Sequence, residues 1–279
     1  MNPGSKGTIP VNDIPGFWNR LSSARHSFLS LDYDGTIAPF ETDRMAAFPL
    51  PGIAELLAKI RDKTGNAVAL ISGRPASQVV ELFGDRGIMI VGSHGYEFRY
   101  PDGCLARKEP TPRQTAGLDA AWKACIGEGV GSRAEVKPAG IAMHTRGLPG
   151  DEAQNMEARI MEHWWHIAPG HELEVRRFDG GVELRCKGMN KGDALRTLLT
   201  LVKEGAFAVY LGDDETDEDA FDAIRDRGIG IKVGHEGEPT RATGFLPDVQ
   251  SVSCFLEDWL HHAPYGQTGE ISWNHADWR

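Results

Sequence analysis

Short apolar runs recur along this chain, each broken off by small or acidic residues. Phe28-Leu29-Ser30-Leu31, Ala67-Val68-Ala69-Leu70-Ile71, Ile88 to Val91, Phe207 to Leu211 and Ile229 to Val233 have this form. Runs of this length that are apolar on both sides predict strands buried on both faces. Between them the spacing changes to that of a helix face. Ile53, Leu56, Leu57 and Ile60 form one such face, Val79, Val80 and Phe83 a second, and Ala194, Leu195, Leu198, Leu199 and Val202 a third. Strands alternating with helices predict a parallel sheet of the doubly wound type. Tyr96 to Lys108 reads as a hairpin turning on Pro101-Asp102-Gly103, and Phe255 to Leu260 as part of a closing helix.

The middle of the chain has another texture. Helix is expected over about 113–126 and 151–166, with strands at Ala134 to Lys137, Ile141 to Arg146, Leu173 to Arg177 and Val182 to Arg185. The alternation in Glu174-Val175-Arg176 and Val182-Glu183-Leu184-Arg185 predicts a half-exposed antiparallel sheet. A second domain over 109–185 is therefore expected to interrupt a core made of 17–108 and 186–262. A loose tail is expected over 1–16 and another over 263–279, where Trp273 and Trp278 are available to dock on the protein or on a partner.

The 279 residues suffice for one large or two modest cores, and a formal charge of −10 argues against a general nucleic-acid or anionic-membrane binder. Cys104, Cys125, Cys186 and Cys254 lie far apart without a C-x-x-C pair, which suits a reducing cytosol better than a disulfide framework or a zinc site. No apolar run approaches a membrane span, and the first residues lack a signal-peptide core. The expectation is a cytoplasmic monomer. The histidines at 163, 166 and 171 lack metal-site spacing, and His261-His262 suit a helix C-terminus.

The chemistry gathers where the strands end. The first strand runs into Asp32-Tyr33-Asp34-Gly35-Thr36, the second into Ser72-Gly73-Arg74-Pro75, and the fourth into Gly212-Asp213-Asp214-Glu215-Thr216-Asp217. Ligands of open parallel sheets bind outside the carboxyl ends of the strands, so these segments are expected to share one crevice. Asp32 and Asp34, two apart in extended chain, converge on one side. Clustered carboxylates raise one another's pKa unless a cation sits among them. All-oxygen donors without His or Cys favour Mg²⁺. Such an ion neutralises Asp32 and Asp213 and presents a phosphate to them. Asp32 then serves as nucleophile, and Asp34 protonates the leaving oxygen and later activates water. Ser72 donates a hydrogen bond, and Lys191, at a helix start, adds a point charge.

Asp32-Tyr33-Asp34-Gly35-Thr36, Ser72-Gly73-Arg74, Lys191-Gly192 and Gly212-Asp213-Asp214-x-x-Asp217 resemble the four motifs of the haloacid-dehalogenase-like (HAD) phosphatases. With Gly92-Ser93-His94-Gly95-Tyr96-Glu97 and Glu218-Asp219-Ala220-Phe221 added, the resemblance narrows to the trehalose-6-phosphate phosphatase family and spans about Phe28 to Leu260. It implies an α/β fold with a Rossmann-like parallel-sheet core and an inserted α/β cap. It also implies release of phosphate from trehalose 6-phosphate in trehalose biosynthesis. In such a site Asp32, Asp34, Asp213 and Asp214 surround the metal, and Gly73 and Arg74 contact substrate. Lys137, His144, Arg146, Glu183 and Arg185 resemble that family's sugar-contacting positions. A phosphatase for sucrose phosphate or a glycosyl-glycerate phosphate is the alternative. A nicotinamide-binding Rossmann enzyme is excluded, because no strand leads into G-x-G-x-x-G. A non-catalytic binding module would be expected to lack Asp32 or Asp213, and both are present.

Overall fold

The structure, a computed structural model, describes residues 8–64, 66–178, 180–263 and 273. Two compact units divide the chain, with boundaries after Ala106 and after Met189. The first unit holds β1 (Ile9–Pro10), α1 (Phe17–Ser23), β2 (Ser27–Leu31), α2 (Ile53–Thr64), β3 (Ala67–Ile71), α3 (Ala76–Phe83), β4 (Met89–Gly92), β5 (Glu97–Arg99) and β6 (Leu105–Arg107). After the second unit it resumes. The second unit contributes α4 (Pro112–Gly127), β7 (Ala134–Lys137), β8 (Gly140–His144), α5 (Gly150–Ile167), β9 (Leu173–Phe178) and β10 (Gly181–Cys186). The first unit then closes with α6 (Lys191–Leu201), β11 (Phe207–Gly212), α7 (Glu218–Ile224), β12 (Gly228–Val233), β13 (Gly244–Leu246) and α8 (Val249–His262).

Among the described residues, nine strands of the first unit form one sheet in the order β1-β13-β12-β11-β2-β3-β4-β5-β6. Its central pairs are parallel, and β4–β5 is antiparallel. Every residue of β2, β3 and β11 is buried, as expected of strands covered on both faces. One layer of core side chains includes Leu29, Leu31, Val68, Leu70, Val209 and Leu211, packed with Leu57, Ile60, Phe255 and Trp259. Helices α1 and α2 meet α8, and α6 meets α7. Burial of each large aliphatic side chain contributes about 1.5–3 kcal/mol relative to exposure.

The tail expected over 1–16 is corrected across its described part. Ile9 and Pro10 pair in parallel with Gly244 and Phe245, and Val11 and Ile14 are buried. Proline is tolerated there because β1 is the sheet's edge. Residues 1–7 of that tail lie outside the described residues, as do 264–272 and 274–279 of the other, Trp278 included. Trp273 is described, with its ring 6.5 Å from that of Phe28.

The order of the sheet fixes where ligands can reach the first unit. From β2 the chain moves outward through β3 and β4, and from β11 it moves the opposite way through β12 and β13. The loops leaving β2 and β11 therefore diverge, opening a crevice at the carboxyl ends of these two strands. Asp32 directly follows β2, Ser72 follows β3, and Asp213 follows β11.

The second unit pairs its strands antiparallel in the order β7-β8-β10-β9. The expected half-exposed sheet is corrected at β10, where all six residues are buried. Alternation predicts exposure only where polar side chains lack partners, and those of β10 have them.

Candidate active site

Asp32 extends the β2–β11 ladder by donating its backbone N–H to Leu211 O at 2.8 Å. Its side chain is 5% exposed, and Oδ1 lies 2.9 Å from Lys191 Nζ. Lys191 is the first residue of α6, and the Asn190 side chain caps that helix by accepting from Asp193 N. The ammonium and the positive end of the helix dipole thus belong to one element. Lys187, a nearby lysine that also precedes a glycine, is exposed.

Asp213 and Asp217 arrive from the far side of β2. Oxygens of Asp32, Asp213 and Asp217 all lie within 4.8 Å of one another. Two glycines make the approach possible. A side chain on Gly35, whose φ is +76°, would overlap the Asp213 carboxylate, and one on Gly212 would overlap that of Asp217. Thr36 Oγ1 donates to Asp213 Oδ1 at 3.1 Å. Asp217 is fully committed. Its Oδ1 accepts from Lys191 Nζ at 2.8 Å and from Tyr210 OH at 2.5 Å, and its Oδ2 accepts from Asp213 N and Asp214 N at 3.0 Å each. Asp32 and Asp213 are then the members of the trio with oxygens to offer a cation.

The electrostatics call for that cation. Burial raises the pKa of Asp32 well above the carboxylate range, and Asp217 and Asp214 add to this against the opposing charge of Lys191. Asp213 is raised well above it too, by burial and then by Asp32, Asp217 and Asp214. Asp217 is raised by burial despite Lys191. Burial alone would lower Lys191, but Asp217 and Asp32 outweigh it and hold the ammonium well above its usual value. For Asp214 burial is again the largest effect and acts upward, yet Lys191 and hydrogen bonds from Thr216 prevail and lower it. One buried ammonium among four carboxylates leaves a negative site of hard oxygen donors, which fits a divalent cation such as Mg²⁺.

The side chains of Asp34 and Asp214, expected at the metal, are engaged elsewhere. Asp34 accepts both arms of the Arg74 fork, from Nε at 2.7 Å and from Nη2 at 2.6 Å. Arg74 also donates to Arg44 O at 2.8 Å and stands over the Tyr33 ring. Asp214 Oδ1 accepts from Thr216 N and Oγ1, each at 2.7 Å. Ser72 is buried, and its Oγ accepts from Arg74 N at 3.1 Å. Gly73 has no room for a side chain, because the His94 imidazole occupies the space. Ser93 and His94 have φ of 50° and 55°, an uncommon conformation for residues other than glycine. Their amides clamp the Ser72–Arg74 turn, His94 N donating to Ser72 O at 3.0 Å and Ser93 N to Arg74 O at 2.8 Å.

Three residues of this neighbourhood have no assigned part in the sequence-based site. Tyr210 and His94 are described above. Lys232, at the carboxyl end of β12, donates to Asp213 O. Its signal was available, since a lone lysine interrupts the apolar run Gly228-Ile229-Gly230-Ile231-Lys232-Val233.

In the second unit the strand register collects the polar side chains on one face. Glu183 stands opposite Ala142 and Arg176, Ala142 opposite Glu135, and Gly140 opposite both Arg185 and Lys137. Residues directly opposite share a face, and so do i and i+2. Lys137 Nζ donates to Glu183 Oε1 at 2.8 Å, and Arg185 Nε to Glu174 Oε1 at 2.7 Å. His144 Nε2 lies 3.0 Å from Glu135 Oε2. Arg146 falls just beyond β8, against Gly180. The expected strand to Arg146 ends instead at His144. Glu135 was missed, although it alternates with Lys137. The opposite face carries Ile141, Met143, Val182 and Leu184, all buried.

Comparison with known proteins places this architecture. The trehalose-phosphatase family model matches residues 30–250. The trehalose-phosphate phosphatase of Mycobacterium tuberculosis (strain ATCC 25618 / H37Rv) is 32% identical over 249 residues, covering 84% of this chain and 60% of that protein. A bifunctional trehalose-6-phosphate synthase/phosphatase of Thermoproteus tenax is 30% identical over 241 residues, covering 85% of this chain and 32% of that protein. The chain thus spans about 60% of the length of the mycobacterial relative. Among solved structures, the C-terminal domain of the C. albicans trehalose-6-phosphate phosphatase superposes with a TM-score of 0.75 at 22% identity, covering 93% of this chain and 99% of that one. A haloacid dehalogenase-like hydrolase from Bacteroides thetaiotaomicron superposes with a TM-score of 0.61 at 17% identity, covering 83% of this chain and 98% of that one. These likenesses show the fold, a mixed α/β architecture with a mainly parallel sheet of the HAD type.

Proposed function

The chain belongs to the trehalose-phosphatase family, and from that premise we propose that it hydrolyses trehalose 6-phosphate to trehalose and phosphate, serving trehalose biosynthesis. The observation that carries this reading is the convergence of Asp32, Lys191 and Asp213 at the carboxyl ends of adjacent strands. Asp32 attacks the phosphorus, its Oδ–P bond forming as the bond from phosphorus to the sugar oxygen breaks. Asp34 supplies the proton that the leaving oxygen takes up. The acyl phosphate on Asp32 is then opened by a water that Asp34, now basic, deprotonates. Arg74 has to release Asp34 for either proton transfer, because both carboxylate oxygens are held in the fork.

Ser72, Gly73 and Lys191 hold the phosphoryl oxygens. Asp32 and Asp213 would hold Mg²⁺, and Asp34 and Asp214 would join them once freed from Arg74 and Thr216. Bound there, the ion offsets the carboxylates and the charge developing on the transferred group. In the second unit, Glu183, Lys137, Arg185, His144 and Arg146 read the sugar hydroxyls, a task suited to a face where polar groups are already oriented by one another. The cysteines at 104, 125, 186 and 254 are all free thiols, which supports a reducing compartment. No helix among the described residues is long and apolar enough to cross a membrane.

The test is turnover of a panel containing trehalose 6-phosphate, sucrose 6-phosphate, a glucosyl-glycerate phosphate and a small aryl phosphate, with and without chelator. The expected result is the highest kcat/KM on trehalose 6-phosphate, loss of activity in chelator, and recovery with Mg²⁺. Asp32→Asn should abolish turnover while keeping the fold. Preference for another sugar phosphate would overturn the substrate, and substantial activity in Asp32→Asn would overturn the mechanism.

A further inference from the structure

We propose that Tyr210 is a positioning residue of the phosphoryl-transfer site, setting the place of the Lys191 ammonium through Asp217. The inference deepens the function proposed above and rests on its reading of Asp32 as the attacking group.

Tyr210 lies on β11, two residues before Gly212, so the two share a face of the strand. Gly212 leaves the space that the Asp217 carboxylate fills. The tyrosine ring is wholly buried and meets Phe221 edge-on, with centroids 5.7 Å apart. Its hydroxyl is therefore fixed by the sheet on one side and by α7 on the other. It donates at 2.5 Å to Asp217 Oδ1, the same oxygen that accepts from Lys191 at 2.8 Å.

The consequence follows from counting donors and lone pairs. Each Asp217 oxygen has two donors: Tyr210 and Lys191 on Oδ1, and the Asp213 and Asp214 amides on Oδ2. A carboxylate held at four points cannot rotate, and its negative charge is shared among four partners. Lys191 is left between two carboxylates, 2.8 Å from Asp217 and 2.9 Å from Asp32. Without the hydroxyl, Asp217 Oδ1 has one lone pair without a donor and one remaining donor, Lys191. The ammonium then has reason to recentre on Asp217, away from Asp32 and the transferring phosphoryl group. Displacements of this kind, about 1 Å, cost on the order of 100-fold in rate.

Tyr210→Phe tests this, because it removes one oxygen and keeps the buried ring. The expected result is a folded enzyme whose kcat falls by about 10- to 100-fold with KM for the sugar phosphate nearly unchanged. The Ki of orthovanadate, which occupies the phosphoryl position, should rise by a similar factor, while inhibition by free trehalose should not move. A purely structural role would leave the vanadate and trehalose affinities changing together. A kcat and a vanadate Ki within twofold of the parent would overturn the proposal. If Tyr210→Phe does not fold, the Tyr210→Phe/Asp217→Asn pair removes the donor together with the charge that required it. Its vanadate Ki should then equal that of Asp217→Asn alone, and a further rise would overturn the proposal. Asp32→Asn assayed in parallel separates the two levels. Turnover there sinks the reading of the site, whereas a dead Asp32→Asn beside an unaffected Tyr210→Phe sinks only the role of Tyr210.

Discussion

Replacing Lys191 by methionine shortens the side chain by one atom, keeps it unbranched and deletes its charge. The loss falls on two carboxylates, Asp32 at 2.9 Å and Asp217 at 2.8 Å, both buried. Removing one partner of a buried ion pair costs about 3–5 kcal/mol, because the remaining charge has neither water nor a counter-ion. Against a total stability of about 5–15 kcal/mol the deficit is large but survivable. It should also depend on pH in a definite sense. In the parent protein, burial already raises Asp32 and Asp217, and Lys191 opposes it. Without Lys191 both rise further above their unfolded values. Groups raised by folding contribute stability below the unfolded pKa, near 3.9, and lose it as pH climbs through the folded pKa. The deficit of Lys191→Met should therefore be smallest near pH 4, grow with rising pH, and level off once both carboxylates have ionised. Urea denaturation at several pH values, in chelator so that no metal ion compensates, reads this directly. The variant should also lose about 10²–10³-fold in kcat, the usual cost of removing one electrostatic contact to a developing charge. Lys187→Met, altering an exposed lysine, should change neither quantity appreciably. A deficit independent of pH, one larger in acid, or equal effects at 187 and 191 would refute the reasoning.

Gly35→Ala should cost about 1–2 kcal/mol from the left-handed backbone alone. It should lower activity by more than that implies, since the new methyl group overlaps the Asp213 carboxylate; comparing Tm with the Mg²⁺ activation constant separates the two effects. Glu183→Ala should lower kcat/KM for trehalose 6-phosphate by about 10- to 100-fold, as expected from losing a hydrogen bond to a charged group. Turnover of a small aryl phosphate should hardly change, and parallel losses on both substrates would argue that the change disturbs more than sugar contacts.

The central strands were legible because apolar runs such as Ala67 to Ile71 end abruptly in Ser, Gly or Asp. Two of the loops at those ends bring Asp32, Asp213 and Asp217 together. The chain gave no comparable sign of β1 or β13. Each is only two or three residues long, with too few positions for a pattern to form, and Pro10 argues against a strand unless the edge position is known. Distances between loops were also beyond reach. Asp34 and Asp214 carry the same charge as Asp32 and Asp213, and only the fold reveals that Arg74 and Thr216 engage them. In β10, polar residues at alternate positions suggested a wet face. Glu183 and Arg185 are nevertheless buried, paired with Lys137 on β7 and Glu174 on β9, although Arg185 Nη1 has no hydrogen-bond partner. Tyr210 sits in an apolar run and reads as core, which it is; its hydroxyl gains meaning only once Asp217 is placed above it.

The adjacency of β2 and β11 has a consequence for biosynthesis. Leu31 closes the first of these strands and Phe207 opens the second. At about 5–20 residues per second, the ribosome needs roughly 10–35 s to travel between them. Throughout that interval the edge of β2, buried in the finished fold, lacks its partner, a template for pairing with other chains. The nascent protein also has no Asp213, so its acidic cluster stays incomplete. Protection of that edge during translation, by a chaperone or by the β3 side of the sheet folding first, should therefore raise the yield of folded protein. Slowing translation within the inserted unit should increase aggregation, whereas pauses after α8 should have little effect.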